Sequence, residues 1–320
     1  MYYYGLAFYF LTLALNICTE YQNLKLMNFL NTQTYRIIVP KYIRKKIVAY
    51  LLRKNILNYY ANMPRPLSNE IEKILDYIRN RKVAMLPYYF QDQYIEDEVD
   101  VYDDREKGLR YVLLNGKKLY FKKRWSKKRI RLSFNELMKE QDPQSPHCYE
   151  NEDFKVEKGD VFVDIGAAEG NFALSVVEEA SRIILIESDK EWLEPLKATF
   201  EPWKDKITIV NKFAGDVNKA RSITLDDYFG IDEKLSFLKI DVEGAELRLL
   251  NGCKRILRSG KPLKVAICTY HNAVDEQELN EILTQNGFKT SHSDGFMLVY
   301  TDRKLKAPYF RRGLIRAIKD

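Results

Sequence analysis

The segment DVFVDIGAAEGNFALSVVEEA, residues 160–180, constrains this 320-residue chain more than any other. An apolar run at 161–163 predicts a buried strand, Gly166 and Gly170 mark a small-residue turn, and an apolar-periodic stretch follows as a helix. Strand, glycine turn and helix together form a nucleotide-type site in which the backbone approaches the ligand closely. What the turn lacks narrows the ligand. It has no G-x-x-x-x-G-K-[ST] run, and G-A-A-E-G departs from G-x-G-x-x-G. Asp164 and Glu169 would repel a pyrophosphate at a helix start. They suit a ligand with positive charge and no phosphate, such as S-adenosylmethionine (SAM).

The alternation of strand and helix continues. Apolar runs at 183–186, 207–210, 235–240, 265–268 and 296–300 are separated by helical stretches, which predicts a mostly parallel sheet with helices on both faces. Glu187 ends the second strand 21 positions after Gly166, close to the roughly 20 expected of an acid that binds ribose. Asp216, after the third strand, is placed to meet the adenine amino group. Asp241 and Glu243 end the fourth strand, and Tyr270, His271 and Asn272 follow the fifth, on the rim where open α/β sheets bind ligands. A structural alternative stands beside each: acids favour a helix's first turn, and a loop histidine often only caps or faces solvent.

Before this region the chain changes character. Residues 1–20 are apolar with no charge until Glu20 and lack a signal-peptide pattern, so they are expected to be an anchor or an extension. Residues 21–145 form a smaller helical and hairpin region. A basic amphipathic helix is expected over 40–60, either packed on its own domain or in peripheral contact with an anionic membrane surface. A second helix is expected after Ser68 as cap. Asn115-Gly116 predicts a tight hairpin turn. The basic stretch 117–131 carries Tyr120, Phe121 and Trp125 and is either the face of that ribbon or a track for an anionic polymer. The polar, proline-broken segment near 145 suggests a boundary, giving a SAM domain over 146–302 and a basic tail over 303–320. The four cysteines are scattered without metal-ligand spacing, which fits reduced thiols in the cytoplasm. A net charge of +7 favours anionic partners.

The motifs VFVDIGAAEGNF (161–172), SITLDDYF (222–229), LKIDVEGAELRLLNG (238–252) and AICTYHNAVDE (266–276) resemble the FkbM family of SAM-dependent methyltransferases. The resemblance covers about residues 149–300. It implies a Rossmann-like class I methyltransferase fold, with a seven-stranded sheet whose last strand is antiparallel. It also implies methyl transfer to oxygen, on sugars and related acceptors in polysaccharide or glycolipid pathways. Carried over to this chain, the turn at Asp164, Gly166 and Gly170 would hold the methionine part of SAM and Glu187 its ribose. Ala167, Asn171, Ser188, Asp216 and Asp241 complete the expected cofactor set, and Asp241 and Glu243 would border the reacting centre. Many relatives have an asparagine in the turn and a glutamate after strand five, where this chain has Glu169 and Tyr270-His271; the acceptor's identity is what this leaves open.

The expected reaction is in-line displacement of the sulfonium methyl by an acceptor hydroxyl on a small molecule or glycan. His271 is the first candidate for the base and Asp241 or Glu243 the second. No metal is required, although Asp241 and Glu243 would offer oxygen ligands suited to Mg²⁺. Two rivals remain: an RNA methyltransferase using 117–131, although KIDVEG is not the loop usual for base amino methylation, and a non-catalytic SAM-fold binding module.

Overall fold

The computed structural model describes residues 40–302 and 304–320. The chain divides into two compact units, Met1–Leu67 with Ile78–Val83, and Ser68–Tyr77 with Ala84–Asp320. In the first, the expected helix is present as Lys41–Ala61. Its apolar side chains do not gather on one face, and Tyr42, Val48 and Tyr50 are exposed, so the amphipathic stripe expected over 40–60 is absent. Among the described residues no helix is long and apolar enough to cross a membrane. The apolar segment 1–20 lies outside the described residues.

The second unit begins with the cap at Ser68, whose Oγ accepts from Ile71 N at 3.3 Å at the start of helix Asn69–Asn80. A three-stranded antiparallel sheet follows: β1 (Tyr102–Asp104), β2 (Leu109–Leu114) and β3 (Lys117–Phe121). Asn115 and Gly116 both take positive φ, 49° and 79°, forming the two-residue turn that their side chains tolerate. The basic stretch 117–131 runs from β3 through a turn into helix Lys127–Glu140, with Tyr120 and Phe121 buried and several of its lysines paired with acids. Lys127 pairs with Asp103 at 2.7 Å, Lys118 with Asp104 and Lys123 with Glu194 at 3.7 Å, and Lys122 with Asp189.

The main sheet contains β4 (Val161–Ile165), β5 (Arg182–Ile186), β6 (Ile207–Val210), β9 (Phe237–Ile240), β10 (Leu263–Cys268), β11 (Lys289–His292) and β12 (Leu314–Lys319), with a small pair β7 (Phe213–Ala214) and β8 (Ser222–Ile223) set apart. Its order is β11-β12-β10-β9-β4-β5-β6, and β12 alone runs against the others. This is the seven-stranded sheet with an antiparallel last strand that the resemblance implied. Alternate residues of each central strand enter separate cores on the two faces, for instance Phe162 and Phe237 on one and Val163 and Leu238 on the other.

Two boundaries of the sequence reading are corrected. Residues 303–320 are not a tail: β12 lies between β10 and β11, where Ile315 and Ala317 are fully buried. The run at 296–300 is correspondingly no strand. Met297 makes a single bridge to Arg311, and Met297, Leu298 and Val299 pack into the interior as irregular chain. Nor does the fold begin at 146. Val112, Leu114, Leu119, Phe121 and Ile130 belong to the same core as Phe162 and Phe237. Tyr120 N donates to Thr199 Oγ1 at 3.0 Å, tying the hairpin to the helix after β5.

Candidate active site

Chain order reverses between β4 and β9: from β4 the sheet grows outward through β5 and β6, from β9 outward through β10. Such a switch point leaves a crevice at the carboxyl ends of the strands. The glycine turn is built against it. Gly166 has φ +77°, and a Cβ there would lie 1.9 Å from the carbonyl oxygen of Asp241, so only glycine lets the loops after β4 and β9 meet. Gly170 has φ +79° and precedes helix Asn171–Ser175; its Cβ would lie 2.8 Å from the Phe200 ring. Ala167 is buried, its carbonyl accepting from Gly170 N at 2.7 Å.

Glu187 stands at the end of β5, and its carboxylate reaches the turn. Oε2 accepts from Ala168 N at 2.9 Å and Oε1 from Asp189 N at 2.6 Å, with half-buried Ser188 between. The other predicted acids behave differently. Asp164 and Lys239 are register partners on adjacent parallel strands, which puts both side chains on one face. Lys239 Nζ lies 2.9 Å from Asp164 Oδ1 and donates to Gly166 O at 2.7 Å. Burial opposes the charge on Lys239, but Asp164 and Asp241 overcome it and hold the ammonium well above the ordinary lysine range. Glu169 is buried, and desolvation pushes its carboxyl up to about 8. The turn is therefore less negative than its sequence suggests, because Asp164 is neutralised by a lysine and Glu169 by a proton. Asp216 is at the surface, paired with Arg248 at 3.1 Å.

The catalytic candidates converge. His271 Nε2 lies 3.6 Å from Asp241 Oδ1 and 3.5 Å from Glu243 Oε2. Its Nδ1 lies 2.9 Å from Glu246 Oε1, out of line for a hydrogen bond. Burial disfavours an imidazolium, yet Glu246, Asp241 and Glu243 outweigh it and raise the pKa of His271. Glu243 is exposed and has φ +53°, a left-handed backbone that costs a non-glycine residue energy and recurs at functional turns. The adjoining loop is fastened by Asp275, which accepts from Asn272 N at 2.7 Å.

Several residues here were not singled out from sequence. Tyr149 donates to Asp241 Oδ2 at 2.9 Å, and His147 Nε2 lies 3.6 Å from the same oxygen. Burial would raise the Asp241 carboxyl, but His147, Lys239 and His271 hold it well below the usual range. Glu140, ending helix Lys127–Glu140, is pushed up by burial and by Asp241, against the attraction of His147. From the supposed tail, Arg311 donates to the carbonyls of Tyr270 and His271 at 2.9 and 3.0 Å. Arg316 is buried in β12 and donates to the carbonyls of Tyr149, Cys148 and Glu150 at 3.1, 2.7 and 3.3 Å. Only an arginine within a predicted strand could have signalled this, and its charge is what concealed the strand.

Sheet order and glycine turn are those of a class I methyltransferase fold. The chain belongs to the FkbM methyltransferase family, whose domain model matches residues 119–290, starting within β3 and well before the boundary near 145. Among solved structures it is similar to the methyltransferase FkbM from Methylobacillus flagellatus, at 18% identity over 78% of this chain and a TM-score of 0.40; the chain spans 62% of that protein's length. It is also similar to Aeropyrum pernix fibrillarin with bound S-adenosyl-L-methionine, at 16% identity over 51% of this chain and 67% of that one, TM-score 0.35. An rRNA methylase from Streptococcus thermophilus matches at 12% identity over 52% of this chain and 89% of that one, TM-score 0.34. No curated protein matches the chain.

Proposed function

We propose that the protein transfers the methyl group of S-adenosylmethionine to a hydroxyl of a small-molecule or glycan acceptor. One observation carries this reading: the turn after β4 closes on the loop after β9 at the switch point, with a carboxylate-ringed imidazole beside it. The donor is S-adenosylmethionine. Its methionine part fits the turn at Gly166, Ala167, Gly170 and Asn171, and its ribose fits Glu187. Its positive charge suits the carboxylates of Glu187, Asp241 and Glu243.

In the transfer the acceptor oxygen attacks the methyl carbon, the sulfur–carbon bond breaks with its electron pair remaining on sulfur, and neutral S-adenosylhomocysteine leaves. Charge disperses in the transition state, so alignment of the two reactants contributes most. A positioned base adds a further ~10²–10⁴. His271, beside Asp241, and the exposed Glu243 are the two groups offered to take the hydroxyl proton, His271 only in its neutral form. An RNA acceptor fits less well, because the basic side chains at 118, 122, 123 and 127 already face carboxylates.

Retention of labelled SAM but not NAD, with S-adenosylhomocysteine released on adding hydroxylated acceptors, is the expected result. Retention of NAD alone would overturn the reading, and SAM binding with no turnover across a broad acceptor panel would make the chain a binding module. His271→Ala should lower turnover at least tenfold with SAM binding kept; a smaller loss removes His271 from the chemistry.

A further inference from the structure

The loops after β9 and β10 leave a set of polar atoms shielded from solvent and without hydrogen bonds: Asp241 Oδ1, Glu246 Oε2 and both ring nitrogens of His271. One donor atom from each of these three residues lies within 4.8 Å of the others. The Glu246 side chain is wholly buried and that of His271 nine-tenths buried. Two carboxylates and an imidazole converging where water is shut out are balanced by one positive charge, either a proton on His271 or a bound cation in its place.

We propose that Asp241, Glu246 and His271 bind a divalent transition-metal ion of the Mn²⁺ type. Neighbouring ligands of one ion with bonds near 2.0–2.2 Å stand roughly 3 Å apart. One donor atom each from Asp241, Glu246 and His271 lies within 4.8 Å of the other two, and His271 Nε2 is 3.6 Å from Asp241 Oδ1. The free oxygens are aimed by bonds on their partners. Tyr149 occupies Asp241 Oδ2, leaving Oδ1. Val242 N and Gly244 N, at 3.2 and 3.3 Å, donate to Glu246 Oε1, leaving Oε2. Arg311 fixes the backbone of His271. Such outer contacts are what orient metal ligands. A second grouping, His147 with Asp241 and Cys268, has no comparable opening: His147 Nε2 already has Tyr270 Oη at 3.2 Å and Cys268 Sγ at 3.7 Å.

One nitrogen with two carboxylates is a mixed donor set, which suits Mn²⁺, Fe²⁺ or Zn²⁺ better than the all-oxygen set Mg²⁺ prefers. Three protein ligands leave positions open. Resting on the methyltransferase reading, the inference makes His271 a ligand: with Asp241 and Glu246 it would hold the ion, which would polarise the acceptor hydroxyl, and the exposed Glu243 would be the carboxylate left to take the hydroxyl proton as the oxygen–methyl bond forms and the sulfonium bond breaks.

The test titrates Mn²⁺ into the full chain and follows free Mn²⁺ by electron paramagnetic resonance, with no methyl acceptor present. One saturable ion per chain is expected, weakened at least tenfold by His271→Gln and unchanged by His292→Gln. The wild-type protein labelled with ¹⁵N-histidine provides a second readout independent of how His271→Gln folds: spin-echo modulation should show a nitrogen bonded directly to Mn²⁺. No saturable site, or bound Mn²⁺ without a histidine nitrogen, overturns the proposal. SAM retention is measured separately on the same samples. Lost Mn²⁺ binding with SAM retained removes only the ion, whereas Mn²⁺ binding without SAM retention removes the methyltransferase reading.

Discussion

Lys239→Met keeps the side chain's length and removes the ammonium 2.9 Å from Asp164 Oδ1. At an effective dielectric near 20, charges at that separation attract by ~6 kcal/mol, against a desolvation cost of several kcal/mol for each ion. The net worth of the pair is therefore small, but the single variant strands a carboxylate that is 1% exposed. The expected loss is about 3–5 kcal/mol, a large share of the ~5–15 kcal/mol typical of a folded domain. Asp164→Asn combined with Lys239→Met removes both charges. Stability should return to within ~2 kcal/mol of wild type, the remainder reflecting the Gly166 carbonyl left without its donor. Urea unfolding followed by tryptophan fluorescence measures all three proteins. A double variant no more stable than Lys239→Met would refute the reasoning, because the damage would then come from shape and not from an uncompensated charge.

Two further predictions follow from buried groups. Glu169 has a folded pKa of about 8 against an ordinary 4.5. The native state therefore holds a proton that the unfolded chain releases, and stability falls as pH rises from about 4.5 to 8, by up to ~4–5 kcal/mol if no other group intervenes. Glu169→Gln should flatten that slope in urea titrations across the window; an unchanged slope would mean that Glu169 is ionised in the native state. Arg316→Met should cost ~3 kcal/mol, about 1 kcal/mol for each of three carbonyl bonds. It should also loosen residues 148–150 in hydrogen exchange, and protection equal to wild type there would show that the guanidinium does not hold that segment.

The sequence by itself determined whatever repeats over a few neighbouring residues. The glycine turn, the Asn115-Gly116 hairpin, the cap at Ser68, five of the seven strands and the acids at strand ends all rest on local backbone preference or on short apolar periodicity, and each stands where its spacing put it. Tertiary structure decided which charges meet. Asp164 reads in sequence as a ligand for a cation, but the register of β4 on β9 sets Lys239 beside it, and Asp216 pairs with Arg248. The amino-terminal hairpin joined the core because one face of the sheet needed covering. β12 escaped notice because Arg316 interrupts its apolar pattern, and that charge is tolerated only where three backbone carbonyls, supplied by a segment about 166 residues away in sequence, converge to receive it. Local pattern carries no information about such partners, since the bonds that neutralise a buried charge are made across the fold.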